Sequence, residues 1–345
     1  MASSLDAHLS SEYGSDPLKR EVAETIRNLA GAAVKLRNKI IAGGEGLGQA
    51  RGGTNAGGDV QKELDVVADK IFMEAAEASP LAFFGSEEQD DAVALKPDAR
   101  LAMAIDPLDG SSNIETNVSI GTIFSILPVD EEHRNDPSTV FRQKGSRQLG
   151  AGFFIYGPQL LLVMSMGNGT HVFIFSPSFG GFVELATSIS IADKAGEFAI
   201  NASNYRHWDQ PIRSYIDDLL AGSEGPRERD FNMRWIASMV ADAYRILLRG
   251  GIFLYPGDGR KGYAKGRLRL VYEANPVAFC VENAGGRATD GTTPILDIVP
   301  EGLHDRTPVV FGSRREVERV ARYIADPAAL AERSPLFGKR SLFRA

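Results

Sequence analysis

The octapeptide Asp106-Pro107-Leu108-Asp109-Gly110-Ser111-Ser112-Asn113 constrains this chain more than any other stretch. It follows an apolar run, Leu101-Ala102-Met103-Ala104-Ile105, that reads as a buried strand. Pro107 brings no amide hydrogen to a ladder, so the strand is expected to stop there, with Asp106 and Asp109 flanking the Leu108 carbonyl. Two carboxylates and a carbonyl make a hard, all-oxygen set suited to Mg²⁺ or Mn²⁺ rather than zinc. Gly110, Ser111 and Ser112 come next, and Ser112-Asn113-Ile114-Glu115 fits the capping box that opens a helix. A helix N-terminus has unpaired N–H groups and partial positive charge, so it suits a phosphate. Asp-Gly alone usually marks a turn. Ligands and amides within one segment point further, to metal-assisted phosphoryl chemistry.

The 345 residues suffice for a large core and two domains. Hydrophobic residues at 43% and charged residues at 24% match a soluble globular protein. A net charge of −7 leaves no basic surplus for nucleic acid or an anionic membrane. A polyphosphate must therefore be met by a few local cations or by metal ions. The single cysteine, Cys280, excludes an intrachain disulfide, and its apolar setting reads as a buried, inert thiol. No N-terminal segment resembles a signal peptide and no apolar run approaches ~20 residues, so the cytoplasm is the expected compartment. His8, His133, His171, His207 and His304 are scattered without ligand spacing, which disfavours zinc.

Along the chain, residues 1–16 are small and polar and are expected to be loosely attached. Val22, Ile26, Leu29, Ala33, Leu36 and Ile40 predict a helix over 17–42. Residues 43–58 contain eight glycines and suit either a flexible connector or a closing lid. A helix is predicted over 59–78, with Asp65 at the edge of its apolar stripe. Leu81 to Phe84 is a short strand that delivers Ser86-Glu87-Glu88 at its end, where ligands collect in an α/β sheet. Apolar runs at 118–129, 152–156, 160–164 and 172–175 read as strands, separated by turn residues and by an irregular, charged surface loop over 130–149. Helices on an antiparallel meander suggest an α/β (α+β layered) fold of stacked helix and mixed-sheet layers. The chain turns small and polar near 187–200, and beyond it helices are expected at 211–221, 234–249, 276–284 and 315–325. Strands are expected at 252–255, 268–273 and 309–311.

The octapeptide resembles the signature of the metal-dependent, lithium-sensitive sugar-phosphatase superfamily, and the wider matches are similar to class I fructose-1,6-bisphosphatases of bacterial type. The resemblance covers about residues 20–325. It implies the sugar-phosphatase fold in two subdomains: a metal- and phosphate-binding domain over 17–190 and a sugar-phosphate domain over 196–326, with 1–16 and 327–345 as tails. It also implies hydrolysis of the 1-phosphate of fructose 1,6-bisphosphate, with two to three Mg²⁺ ions (or Mn²⁺) held by Glu87, Asp106, the Leu108 carbonyl, Asp109 and Glu273. Glu273 comes from the matching run Leu268-Arg269-Leu270-Val271-Tyr272-Glu273-Ala274-Asn275-Pro276. Glu88, with Asp65 of Lys62-Glu63-Leu64-Asp65-Val66, is implied to handle the attacking water. The 43–58 segment is implied to be a mobile catalytic loop. Asp109, Gly110, Ser111 and Ser112 fall to the reacting phosphate. Asn201, Asn204, Tyr205, Tyr255 and Arg267 fall to the distal one, together with Arg234 reaching in from a neighbouring copy. A homo-oligomer follows, tetramer or dimer. Six acids cannot gather unneutralised, since a like-charge pair at ~4 Å costs on the order of 4 kcal/mol at an effective dielectric near 20.

Two departures bear on specificity. Trp235 stands where the family commonly has tyrosine, and Arg267 where it commonly has lysine, exchanging a point charge for a bidentate donor. Sedoheptulose-1,7-bisphosphatase activity therefore stands as the alternative, and a catalytically silent sugar-phosphate sensor as the non-enzyme one. A third departure concerns regulation. Leu18-Lys19-Arg20-Glu21 and Arg100-Leu101 occupy the positions that bind AMP in inhibited relatives. Weak or absent AMP inhibition is expected, and an enzyme assay showing inhibition at micromolar AMP would overturn that expectation.

Overall fold

A computed structural model describes residues 3–42, 50–54 and 60–326. From the N-terminus come α1 (Leu5–Tyr13), α2 (Pro17–Ala42), the hairpin β1 (Ala50–Thr54) and β2 (Val60–Lys62), then α3 (Glu63–Ala78). Strands β3 (Leu81–Ser86), β4 (Val93–Ala94), β5 (Leu101–Asp109) and β6 (Ile120–Pro128) follow, then α4 (Glu131–Asn135). The meander β7 (Gly150–Tyr156), β8 (Leu160–Ser165), β9 (Thr170–Ser176) and β10 (Gly181–Ala186) completes a large sheet. The second half holds β11 (Glu197–Ala199), α5 (Gln210–Leu220), β12 (Asn232–Met233), α6 (Met239–Arg249) and β13 (Ile252–Tyr255). It continues through β14 (Leu268–Arg269), α7 (Asn275–Asn283), β15 (Arg287–Thr289), β16 (Arg306–Thr307) and β17 (Val309–Gly312) to α8 (Arg314–Ala325).

Side-chain alternation explains how these elements stack. Phe154 and Tyr156 of β7, with Leu160, Leu162 and Met164 of β8, join a core built on α1, α2 and α3. Phe153 and Ile155, with Leu161 and Val163, point the other way into a core with α6 and α7. The same two-residue period sends Phe253 of β13 to that inner core and Ile252 and Leu254 to an outer one with α5 and α8. The result is five layers: helices, an eight-stranded sheet, helices, a five-stranded sheet, helices. The eight strands run β10-β9-β8-β7-β6-β5-β3-β4, with β3 and β5 parallel and the other neighbours antiparallel. Both faces are covered, which is why β5 and β3 read as unbroken apolar runs. This is the mixed, layered α/β architecture expected.

Several local expectations change. The N-terminal segment is a helix docked on the sheet, with Leu5, Leu9 and Tyr13 buried and Ser4 capping it by accepting the Ala7 N–H at 3.1 Å. Its four-residue spacing was the signal that its polar composition hid. α3 begins at Glu63, because 60–62 pairs with 50–54 instead. The expected glycine-rich lid falls mostly on 43–49 and 55–59, outside the described residues, as does the tail 327–345. The 130–149 loop is not mere surface: Val140 and Phe141 are buried against Phe83 and Tyr272. α6 starts at Met239 rather than 234. Truncating Leu9 to Ala is expected to cost about 2–5 kcal/mol. Urea melts would show this as a lower midpoint at unchanged slope, and a loss under ~0.5 kcal/mol would mean that α1 lies outside the core.

Candidate active site

β5 runs through Pro107 to Asp109 rather than stopping before it. The register explains how. Asp106 lies opposite Ile123 and Asp109 opposite Gly121, so three steps on β5 face two on β6. That bulge excuses Pro107 from the ladder and re-aims the residues after it. The local turn is closed by its own bonds: Leu108 N–H donates to Asp106 Oδ1 at 2.9 Å, and Thr122 Oγ1 donates to the Pro107 carbonyl at 2.8 Å. Gly110 then turns the chain at φ +76°, a conformation glycine adopts without strain.

The helix expected at Ser112 does not form. Ser111–Asn113 makes a single 3₁₀ turn, and the Asn113 side-chain amide donates to the Ala237 carbonyl at 3.0 Å. The helix start at this place belongs to α6. Val240 N–H and Ser238 Oγ donate to Asp109 Oδ2 at 3.1 and 3.4 Å, so a strand carboxylate caps a helix from the other half of the chain. Ala237, just before it, is held at φ +62°, a strained conformation for a residue with a Cβ.

Asp106, Asp109 and Glu273 converge, each at least nine-tenths buried, with ligand atoms within 4.8 Å of one another. Burial is the first cause that raises their pKa values. It lifts Asp109 to about 6 against the bonds from Val240 and Ser238, and Glu273 to about 8 against the pull of Arg269. Asp106 is pushed well above its ordinary value by burial and then by Glu87, Glu273 and Asp109. Glu87, at the end of β3, donates its N–H to the Ile105 carbonyl at 3.1 Å and pairs through its carboxylate with Arg269 Nη2 at 2.9 Å. Glu273 does not end a strand. β14 stops at Arg269, and Leu270–Ala274 winds as a π-turn, with Asn275 N–H bonded to the Leu270 carbonyl. The wider coil carries Glu273 inward, where its carboxylate accepts the Arg269 N–H.

Asp65 lies buried in the first turn of α3. One turn further, Asp69 accepts from Ser86 Oγ at 2.6 Å and Gln89 Nε2 at 3.1 Å, which ties this face of α3 to the loop bearing Glu87 and half-buried Glu88. Asp242 is a further buried acid that no motif pointed to. Burial pushes it up to about 7 against bonds from Ile236, with Asp109 adding to the rise.

A second, shallow cleft is lined by Asn201, Asn204, Trp208, Tyr255, Asp258, Arg260 and Tyr263, among others. Arg267 Nη1 donates to the Tyr263 hydroxyl at 2.9 Å, while the Arg260 guanidinium lies 4.2 Å from the same ring's centre. Arg260 also reaches Asn204 Oδ1 at 3.1 Å and Asp258 at 2.9 Å. No sequence motif pointed to Arg260 or Tyr263. Tyr205 is turned elsewhere: it is half-exposed and its hydroxyl donates to Asp217 at 2.8 Å. Arg234 is exposed, 4.0 Å from Glu197. The two clefts feel each other. Burial raises the Tyr255 hydroxyl, Arg267 opposes, and Glu273 adds to the rise.

Family models described as the N-terminal and C-terminal domains of fructose-1-6-bisphosphatase match residues 19–187 and 191–325. The chain belongs to the fructose-1,6-bisphosphatase family. A fructose-1,6-bisphosphatase class 1 from Rhizobium meliloti (strain 1021) is 60% identical over 344 residues, covering 99% of each chain. One from Azorhizobium caulinodans is 53% identical over 322 residues, covering 92% of this chain and 98% of its own. The holo-form crystal structure of Leishmania major fructose-1,6-bisphosphatase superposes with a TM-score of 0.87 at 33% identity, covering 94% of this chain and 99% of that one. The chain is thus a phosphatase that hydrolyses fructose 1,6-bisphosphate, and divalent metal ions are part of the family's chemistry. Among the described residues no helix is long and apolar enough to cross a membrane.

The acids at the end of β5 fit such ions. They are oxygen donors, they are dry, and they repel one another unless protons or cations intervene. The sign of the pH effect follows. Folded-state pKa values raised from near 4 to about 6 and about 8 mean that the metal-free folded protein binds more protons than the unfolded chain between those limits. Its stability therefore falls as pH rises through that window. With EDTA present, the melting temperature is expected to drop between pH 5 and 8, less so in Glu273→Gln. Mg²⁺ should restore it most at the alkaline end with release of protons. A pH-independent Mg²⁺ stabilisation would contradict this.

Proposed function

We propose that Glu87, Asp106, Asp109, Glu273 and the Leu108 carbonyl hold two to three Mg²⁺ ions for removal of the 1-phosphate of fructose 1,6-bisphosphate, with Mn²⁺ as a substitute. Such cations, when bound, neutralise charge on the phosphoryl oxygens. Glu88, steadied with Asp65 on the α3 side, orients the attacking water and takes its proton. The Gly110 and Ser111 amides and the Ser112 hydroxyl hold the phosphate after the bulge. Arg269 sets the charge of Glu87 by pairing with it. The observation that carries this reading is the convergence of three buried carboxylates from β5 and the π-turn at one point.

The cleft beside them takes the other phosphate through Asn201, Asn204, Tyr255 and Arg267, to which Arg260 and Tyr263 are added. Tyr205 joins only by leaving Asp217. Exposed Arg234 is offered to a neighbouring copy, so the working form is a homo-oligomer, tetramer or dimer, in the cytoplasm. In this reading the first half of the chain, 17–190, supplies most of the metal-binding acids and the water-handling pair, and 196–326 reads the sugar phosphate and adds Glu273.

Asp106→Asn and Glu273→Gln are each expected to lower kcat at least ~100-fold, about 2.7 kcal/mol of barrier, with near-native circular dichroism. Phosphate release from fructose 1,6-bisphosphate and sedoheptulose 1,7-bisphosphate should be followed side by side in Mg²⁺ and in EDTA. Release that survives both EDTA and either substitution would sink the assignment. Faster release from the seven-carbon substrate would move the specificity but leave the mechanism.

A further inference from the structure

We infer that His8, His171 and Glu184 form a second metal site, separate from the catalytic acids, that takes a zinc-class divalent cation and fastens α1 to the edge of the large sheet. The three residues come from α1, β9 and β10, and their ligand atoms all lie within 4.8 Å of one another. Both imidazoles are more than nine-tenths buried, with ring centres 4.5 Å apart.

The polar atoms of this cluster are what point to an occupant. His8 Nε2, both ring nitrogens of His171 and Glu184 Oε1 are buried, and none has a hydrogen-bond partner among the described residues. Buried polar side chains are nearly always bonded, so four such atoms converging on one spot share an unmet need. A single cation with an incomplete coordination shell meets it. The chemistry of the set selects the ion: two imidazoles and one carboxylate are the nitrogen and oxygen ligands of zinc, not the all-oxygen shell of magnesium. A tetrahedral ion with ligands near 2.1 Å holds its donors about 3.4 Å apart, so the present spacing closes by small side-chain rotations. The fourth position is left to water.

The surroundings hold the ligands in place. Ser4 bridges to Val183, and Glu184 N–H donates to the Ser3 carbonyl at 2.8 Å, so the contact that seats α1 also delivers His8 to Glu184. The β9–β10 register slips between Glu184 and Ala186, a bulge that re-aims this side chain. Phe173 and Tyr13 stand against the His8 ring, with centres at 5.3 and 6.1 Å, and keep the spot apolar. Burial and then the neighbouring His8 pull the His171 pKa down, against Glu184 and the Asn168 backbone, which favours the neutral imidazole that binds metal. Three strands lie between β9 and β5, placing the cluster about 19 Å across the sheet from the catalytic acids by strand spacing.

The test is a Co²⁺ titration of the full-length protein in excess Mg²⁺, which occupies the catalytic acids. The wild type should take up one equivalent with the strong visible absorption of tetrahedral cobalt, lose that band when Zn²⁺ is added, and melt higher with Zn²⁺ than without. His8→Gln and Glu184→Gln should each weaken uptake at least ~10-fold, the least that loss of an outer-shell partner costs a metal site, while Mg²⁺-dependent phosphate release stays within twofold. The wild-type spectrum stands even where a variant fails to fold. A wild type without a tetrahedral band would overturn the site, as would equal uptake by wild type and both variants. So would histidine NMR signals that titrate as an imidazolium–carboxylate pair and ignore Zn²⁺.

Discussion

Repulsion among carboxylates that the fold has taken out of water is the force around which the rest of this molecule is arranged. Asp106, Asp109, Glu273 and Glu87 sit where solvent cannot screen them, and each makes its neighbours harder to ionise. Arg269 relieves Glu87 by an ion pair and also pulls the Glu273 pKa down. A core of this size could hold apolar residues at those positions at no electrostatic cost. In the proposed reading, carboxylates there make the site dependent on cations, a dependence that suits a phosphatase. The same ions that would make the acids tolerable would also admit the substrate's negative charge.

Asp109 shows how the two halves of the chain are coupled. Its carboxylate belongs to the acidic cluster and also receives the first N–H groups of α6, which follows the strained Ala237. Asp242, in the first turn of α6, accepts from Ile236 and feels Asp109 through the protein interior. Neutralising the cluster therefore changes the electrostatics at the start of a helix that packs on the inner face of both sheets. Gly121 lets the helix come that close, since a Cβ there would meet Val240 at 2.4 Å and the Phe154 carbonyl at 2.6 Å. Trp235 and Tyr255, whose ring centres lie 5.9 Å apart, carry the contact on toward the cleft lined by Asn204 and Arg260.

Much of this was legible in the chain because local chemistry was dense. The octapeptide announced ligands and a tight turn, Ser86-Glu87-Glu88 announced a second supply of acid, and two-residue alternation announced the sheet. Other features were misread where a long-range contact outweighed a local preference. Pro107 argued for a strand end, but a one-residue bulge removes its ladder duty. Ser112 to Glu115 had the pattern of a helix cap, but Asn113 is spent on Ala237. Glu273 reads as the end of a strand, but the run before it coils to place its carboxylate among the other acids. The first sixteen residues looked loose because they are mostly small and polar, yet Leu5, Leu9 and Tyr13 are buried.

By itself the sequence determined the kind of chemistry, because metal and phosphate ligands are residue types at short spacing, and it determined the layered class, because periodicity is local. Tertiary structure alone decided which charges meet. Arg269 found Glu87 across 182 positions, Asp109 found α6, and His8 came to rest against His171. Such pairings depend on how strands are ordered and which faces are covered, and electrostatic energy falls off with distance in space rather than along the chain.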